Sequence, residues 1–282
     1  MKIMIETDME GCAGILNFKD WVYPDGKYYD LGRRFTTEEV NAAIRGFFDA
    51  GADEIYVSDG HGYGGLDISL LDERVKYLRG VADPLDDTFD AIAWVGQHAK
   101  AGTVGSHMPH TGTPAVFENT VNGVSVGEFG EGCIKAGEYG IPAIFLAGEL
   151  AMTKEAEALI PGIHTVAVKE GTTRDNGADL NAVNYETHNL GAIHLTPAEA
   201  NRRVYDGAKA ALEDFIKEPG KIKPFTVGKP YIMKTWYRDQ TYDRPYVHIR
   251  RHPDSFVKCL RDPGDRIHYD ANERPYEPLS LD

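Results

Sequence analysis

The chain has 282 residues, enough for one large α/β domain or two smaller ones. Its formal net charge of −14, from 44 acidic and 30 basic residues, argues against nucleic acid or an anionic membrane surface as the main partner. A hydrophobic fraction of 42% and an aromatic fraction of 10% indicate a folded globular protein rather than a disordered one.

Cysteine usage and the hydrophobicity of the chain indicate its compartment. The three cysteines, Cys12, Cys133 and Cys259, are scattered without CxxC spacing, so we expect no disulfide framework and a reducing environment. The N-terminus has no basic stretch followed by a long apolar one, so we expect no signal peptide. No apolar run approaches the ~18–20 residues of a membrane span. We therefore expect a soluble, cytoplasmic protein.

The first hundred residues predict a β-loop-α-β unit followed by further strands. The apolar run Met1–Ile5 predicts a buried strand, and Thr36-Thr37-Glu38-Glu39 predicts the start of a helix that Gly51 ends. Further strands are predicted at 54–58, near 75–78 and at 91–95. Because strands joined by a crossover helix run parallel, these strands should form a parallel sheet.

The remaining chain predicts further strands and helices. Asn122-Gly123 is a strong signal for a hairpin between 116 and 126. Thr196 followed by Pro197 predicts a capped helix that reaches about Ile216. The other predicted elements are helices at 128–136 and 151–159 and strands at 144–146, 164–168 and 231–236. These elements predict an α/β fold with a mostly parallel central sheet flanked by helices and a smaller C-terminal α+β part.

Acidic and histidine side chains follow strand after strand. Asp8 and Glu10 follow the first strand, His61 and His98 follow the strands predicted at 54–58 and 91–95, and Glu128 follows an arm of the hairpin. The carboxyl ends of parallel strands meet at one edge of a sheet, so the first three sets should lie close together. Such oxygen and nitrogen ligands suit zinc or a similar divalent metal. Five of them suit two metals that share a carboxylate better than one tetrahedral ion.

Each of these residues also has a plain structural explanation. A single histidine after a strand is usually a loop residue or a satisfied polar group. Asp8 and Glu10 are also suited to cap a helix or bind water, and Glu128 to serve as the first-turn acid of its own helix. The residues taken alone leave both interpretations open.

Six short motifs follow one another in the order and at the approximate spacings of a known family. They are Asp8-Met9-Glu10-Gly11 with Gly14, Ser58-Asp59-Gly60-His61, Asp86-Asp87-Thr88-Phe89-Asp90, Gly96-Gln97-His98-Ala99, Gly105-Ser106-His107 and Val126-Gly127-Glu128-Phe129-Gly130. With these motifs the chain resembles the M55 family of metallopeptidases, the D-aminopeptidases of the DppA type. The resemblance runs from residue 1 to about Arg174 and resumes weakly in the helix after Thr196.

The resemblance implies a binuclear zinc site with two Zn²⁺ ions per chain, although Mn²⁺ and Co²⁺ accept similar ligands. Asp8 would bridge both metals. Glu10 and His61 would complete one metal, and His98 and Glu128 would complete the other. A metal pair lowers the pKa of a bridging water, so hydroxide exists near neutral pH.

The resemblance also implies that His107 is the catalytic histidine beside the metals. Such a histidine moves protons or stabilises the charge that develops in the transition state. His110, three residues further on, is a candidate to replace or assist it, although a loop role is the favoured interpretation of His110.

The implied activity is metal-dependent hydrolysis of small peptides by a metal-bound hydroxide. The family releases N-terminal D-amino acids from short peptides such as D-Ala-D-Ala and forms a ring-like homo-oligomer, a decamer in its best-known member. Two alternatives remain open: a hydrolase of another small amide or cyclic amide with the same centre, and a non-catalytic metal- or ligand-binding oligomer. Residues 1–171 would form the metal-binding catalytic region. Residues 172–282 would complete the fold, the pocket or the oligomer contacts, and depart from the family at 175–195 and 237–282.

Overall fold

A computed structural model describes residues 1–81 and 83–270, so the end of the predicted C-terminal region, from 271 on, lies outside the described residues. In chain order the strands are β1 (Lys2–Thr7), β2 (Glu54–Asp59), β3 (Lys76–Leu78), β4 (Ala91–Gln97), β5 (Val116–Val121), β6 (Val124–Ser125), β7 (Ala143–Glu149), β8 (His164–Gly171), β9 (Ala192–His194), β10 (Tyr231–Tyr237), β11 (Tyr246–His252) and β12 (Asp265–His268). The helices are α1 (Tyr29–Asp49), α2 (Glu128–Glu138), α3 (Leu150–Leu159), α4 (Ala182–Glu186), α5 (Pro197–Lys217) and α6 (Phe256–Leu260), with one π-helical turn at Phe18–Val22.

A seven-stranded sheet in the order β3-β2-β1-β4-β7-β8-β9 forms the centre of the fold. Each neighbouring pair from β3 to β8 is parallel, and β9 adds an antiparallel edge strand to β8. The strands β4 and β7 are buried along their whole length, as is typical of parallel sheets covered by helices on both faces. The predicted α/β fold with a mostly parallel central sheet is confirmed.

A second sheet of five strands, in the order β12-β11-β10-β5-β6, is antiparallel throughout. Its hairpin β5-β6 turns at Asn122 and Gly123, whose φ angles of 51° and 82° fit the predicted two-residue turn. The sheet joins strands from both sides of the predicted boundary between 171 and 172, which stays a prediction. Within the described residues, no helix is both long and apolar enough to cross a membrane.

The predicted start of α1 at Thr36-Thr37 is wrong, because the helix begins seven residues earlier at Tyr29. Both threonines are buried in the helix interior. Their hydroxyls donate to the backbone carbonyls of Gly32 and Arg33, at 3.0 Å and 2.7 Å. A threonine hydroxyl that bonds a carbonyl four residues earlier is satisfied without a cap, so the same residue type serves both positions.

The segment that the sequence left unassigned, 172–195, contains α4 and β9 and packs against the loops that follow the parallel strands. The carbonyl of Asn189 accepts from the backbone N–H of Met108 at 2.9 Å. The hydroxyl of Tyr23 donates to Glu186 at 2.9 Å. The segment therefore borders the carboxyl edge of the central sheet.

The loop after β1 approaches the end of β4 so closely that two glycines are required. The N–H of Gly11 donates to the carbonyl of Gly96 at 2.7 Å. A Cβ atom on Gly11 would lie 2.1 Å from the carbonyl oxygen of Gln97, and one on Gly96 would lie 2.0 Å from that of Asp8. Gly96 also has a φ of 81°, a conformation that favours glycine. This contact fixes the two loops relative to one another.

We expect Gly11→Ala to destabilise the protein by about 3 kcal/mol or more, because the added methyl group meets rigid backbone rather than a side chain that can move. Chemical denaturation measures this change. The matched control is Gly62→Ala, where an added Cβ atom has nothing within 4 Å, and where we expect a change below about 1 kcal/mol. Equal stability of the two variants would contradict the proposed close contact.

Candidate metal centre

The five predicted ligands lie together at the carboxyl edge of the central sheet, as the strand order predicts, and we refer to them as the metal centre. Asp8 and Glu10 belong to the loop after β1, His61 follows β2, His98 follows β4, and Glu128 is the first residue of α2. Because β1 lies between β2 and β4, the three strand ends are neighbours. The first four residues are at most 5% exposed. Their role as ligands stays a prediction.

Asp8 occupies the middle of the metal centre. One of its carboxylate oxygens lies 3.3 Å from Nδ1 of His61, and the other lies 3.2 Å from Nε2 of His98. Glu10 stands on the His61 side, with Oε2 3.2 Å from the same Nδ1. Glu128 stands on the other side, with Oε1 3.5 Å from Nε2 of His98. The metal centre therefore consists of two carboxylate–histidine pairs with one carboxylate between them.

Backbone carbonyls orient the two imidazoles. Nε2 of His61 lies 3.2 Å from the carbonyl of Val22, at the end of the π-helical turn. Nδ1 of His98 lies 3.0 Å from the carbonyl of Ala99. Each carbonyl favours a proton on the nitrogen that it faces, so a bound metal would replace the proton on the other nitrogen, which faces the carboxylates. Histidines that bind metals are commonly held in this way.

Arg79 holds the loop that carries His61. Its guanidinium donates to three carbonyls of this loop, those of Asp59, His61 and Gly62, at 2.8, 2.7 and 2.8 Å. The carboxylate of Asp59 accepts from the N–H of Gly65 at 3.0 Å on the far side of the same turn. These bonds fix a glycine-rich loop that would otherwise have many conformations.

The electrostatics of the metal centre favour added positive charge. Burial opposes ionisation of Asp8, but the hydrogen bond from His61 and the charge of His98 outweigh it and hold the pKa of Asp8 well below its ordinary value. Burial would likewise lower the pKa of His61, but the charge of Glu10 and the hydrogen bond with Asp8 raise it to about 12. The pKa of His98 is also raised, mainly by Glu128 against the effect of burial. A divalent cation supplies the positive charge that these carboxylates stabilise.

The donor set fits a metal by a second criterion. Glu10 Oε2 and His98 Nε2 are buried and make no hydrogen bond, although each lies close to other members of the metal centre. Ligand atoms of Asp8, Glu10 and His98 lie within 4.8 Å of one another, as do those of His98, His110 and Glu128. Buried polar atoms without a hydrogen bond need another partner, and a cation between them satisfies several at once.

His110 lies against the metal centre. Its Nε2 is 3.9 Å from carboxylate oxygens of both Glu10 and Glu128. Its ring stacks on that of His98 with centroids 3.8 Å apart and planes 12° apart. The other nitrogen, Nδ1, lies 3.0 Å from the carbonyl of Met108, so Nε2 is the nitrogen available to a substrate or a metal.

His107 has different surroundings. Its Nε2 lies 3.2 Å from the carbonyl of Leu16, and its ring faces that of His194 with centroids 5.4 Å apart. Burial and the charge of Lys169 lower the pKa of His107 to about 2, so the ring is neutral at physiological pH. The catalytic role of His107 stays a prediction, while the geometry favours His110 for a role at the metal centre.

The sequence does not predict the path by which the loop after β4 brings His110 to the metal centre. The loop after β4 leaves the sheet at His98 and returns, and the N–H of His110 donates to the carbonyl of Ala99 at 3.3 Å. Met108, just before this return, has a positive φ of 56°. Two histidines three residues apart are equivalent candidates until this path is known.

Three buried charged residues that the sequence reasoning missed lie near the metal centre: Glu39 of α1, Glu149 at the end of β7 and Lys169 in β8. Burial raises the pKa of Glu39 to about 7, and burial lowers that of Lys169 to about 8. The sequence signal was available for two of them. Glu149 ends the buried strand β7, and Lys169 lies two residues before the end of β8.

An α/β sheet whose carboxyl edge brings three carboxylates and two histidines together fits a metal-dependent hydrolase. The family model of the M55 peptidases, described as D-aminopeptidase, matches residues 1–242. A D-aminopeptidase from Bacillus subtilis (strain 168) is 33% identical over 234 residues, which cover 80% of this chain and 77% of the relative. The chain belongs to the M55 D-aminopeptidase family.

A solved structure supports the same relationship. The Zn-dependent D-aminopeptidase DppA from Bacillus subtilis, described as a self-compartmentalizing protease, superimposes with a TM-score of 0.77 at 25% sequence identity. The match covers 93% of this chain and 94% of DppA. The resemblance inferred from the six motifs is thus confirmed.

Proposed function

We propose that this protein is a zinc-dependent D-aminopeptidase, which hydrolyses the amide bond that follows the N-terminal D-amino acid of a short peptide. The observation that carries this proposal is the position of Asp8 between His61 and His98, with a further carboxylate on each side. Family membership and the activity named for the Bacillus subtilis D-aminopeptidase and for the DppA structure support the same reaction.

The metal centre is suited to two zinc ions. Asp8, Glu10 and His61 would hold one ion, and Asp8, His98 and Glu128 would hold the other. Mn²⁺ or Co²⁺ would accept the same ligands. When bound, the ions supply Lewis acidity, which makes water nucleophilic near neutral pH and polarises the carbonyl of the substrate.

His110 is the side chain that we propose to transfer the proton. Its Nε2 faces the carboxylates of Glu10 and Glu128, and the carbonyl of Met108 fixes its tautomer. Burial and the neighbouring charge of His98 lower its pKa, so the neutral ring is able to accept a proton at neutral pH. In the protonated form it would return the proton to the leaving amine.

A row of aromatic rings leads from the metal centre to the surface. Phe18 packs edge-on against His110 at 5.2 Å between centroids, and Tyr23 lies 6.2 Å from Phe18. Tyr63, which is 63% exposed, lies 6.1 Å from Tyr23 and 6.2 Å from His61. We propose that these rings limit access of water and contact the side chain of the substrate.

The activity is tested with D-Ala-D-Ala and a D-alanine anilide on zinc-loaded protein, with the L-isomers and chelated protein as controls. We expect turnover of the D-substrates that chelation abolishes and zinc restores. Turnover of only another small amide or cyclic amide would contradict the D-aminopeptidase proposal and favour the alternative hydrolase. Zinc binding without turnover of any substrate in a broad panel would favour a non-catalytic binding protein.

The two histidines are distinguished by His110→Ala and His107→Ala, each assayed for kcat and for zinc content. Loss of the proton-transfer group should reduce kcat by about 10²–10⁴-fold in His110→Ala while zinc remains bound. We expect a smaller loss in His107→Ala, whose ring faces His194. The reverse order of the two losses would restore His107 to the role that the motifs predict.

We also propose that the chain self-associates into a ring-like homo-oligomer of ten subunits, as the resemblance implies and as the self-compartmentalizing description of DppA supports. Light scattering after size exclusion should give the mass of ten chains. A monomer or dimer at micromolar concentration would contradict this assembly.

A further inference from the structure

Glu149 and Lys169 are two buried charged residues that contact the loops of the metal centre. They are paired across the neighbouring strands β7 and β8, near the carboxyl ends of both, and are 0% and 3% exposed. Neither is a member of the metal centre. Each contacts one of the two loops that carry its residues, namely the β1 loop, residues 8–15, and the β4 loop, residues 98–110.

Lys169 bonds the β1 loop. Its ammonium donates to the backbone carbonyl of Glu10, a predicted metal ligand, and lies 3.4 Å from the carbonyl of Ile15. One side chain thus joins the start and the end of this loop from behind. The carboxylates of Glu39 and Glu149 attract the same ammonium and offset part of the cost of its burial.

Glu149 bonds the β4 loop in the same manner. One carboxylate oxygen accepts from the N–H of Ala99 at 2.8 Å and from the hydroxyl of Ser106, and the other accepts from the N–H of His107. The carboxylate therefore joins the beginning of the loop, next to His98, to the segment that leads to His110.

Stability alone does not account for these two charges. Burying an ion is costly, and replacing buried ions by apolar groups of similar size is often neutral or stabilising. The pair instead holds backbone in place, because every hydrogen bond named above ends on a loop that bears residues of the metal centre. Side chains that bond to the supports of metal ligands typically change metal affinity by about 10–100-fold when they are removed.

We propose that Lys169 and Glu149 are positioning residues for the metal centre, with Lys169 fixing the β1 loop that carries Asp8 and Glu10, and Glu149 fixing the β4 loop that starts at His98. This inference rests on the metal site of the proposed function and is independent of the substrate. It separates the residues that would touch the ions from those that set the distance between the two halves of the metal centre.

The test is Lys169→Met, which keeps most of the volume of the side chain and removes its donor. We expect a folded protein whose zinc affinity, measured by competition with a chelator, is about 10–100-fold weaker than that of the wild type. The absorption bands of the cobalt-substituted protein should also shift, because the carboxylates of Asp8 and Glu10 would meet the metal at a different geometry. Purely structural damage would not produce this spectral change.

Glu149→Gln provides a second, nearly isosteric variant, which decides the question if Lys169→Met does not fold. Its amide leaves at least one of the N–H donors of the β4 loop without an acceptor, so we expect the same fall in zinc affinity. The matched control is Arg250→Met. This cation donates to the carbonyl of Leu260 and to Thr235, both at 3.1 Å, in the second sheet. The Arg250→Met variant should have a lower unfolding temperature, with zinc affinity and cobalt spectrum equal to those of the wild type.

Three results would overturn the inference. Zinc affinities and cobalt spectra equal to those of the wild type in the Glu149 and Lys169 variants would show that the two residues do not position the ligands. An equal effect in Arg250→Met would show a general consequence of lost stability. Wild-type protein that binds no zinc would overturn the proposed function, and this inference would fall with it.

Discussion

The concentration of negative charge at one buried edge of the parallel sheet is the constraint on which the rest of the molecule depends. Asp8 and Glu10 follow the interior strand β1 and have almost no exposure to solvent, and Glu128 lies near them at the start of α2. These three carboxylates contact the same two imidazoles, so their negative charges lie close together and repel strongly in a site with little water. The imidazoles of His61 and His98 offset part of this repulsion, and bound cations would offset the remainder.

This arrangement requires a rigid backbone. Two glycines and one arginine close to the metal centre provide it. Gly11 and Gly96 allow the loop after β1 to touch the end of β4 at distances that no side chain tolerates. Arg79 holds the turn that carries His61 by three backbone carbonyls. The metal centre thus receives its geometry from main-chain contacts, and its side chains need few bonds of their own.

Much of the fold could be predicted because its signals are local. Alternating strands and helices specify a parallel sheet, and residues at successive strand ends, such as Asp8, His61 and His98, are then neighbours by topology alone. The start of α1 was mispredicted because Thr36 suits either a cap or a helix interior, and its burial in the folded protein is not a local property. The hairpin at Asn122 was predicted correctly because two residues determine its turn.

The prediction is weakest where the path of a loop determines the chemistry. His107 and His110 differ only in where the β4 loop returns to the sheet, which depends on contacts with Asn189 and Glu149 from distant parts of the chain. Lys169 was overlooked for a different reason. A buried lysine near the end of a strand is as unusual as a buried aspartate there, but it matched no ligand pattern and received no interpretation.

The most direct test of the account is anomalous diffraction from crystals grown with zinc, with data collected on both sides of the zinc absorption edge. We expect two anomalous peaks per chain, about 3.5–4 Å apart, one beside His61 and one beside His98, with Asp8 in contact with both. A single peak, or peaks away from these residues, would contradict it.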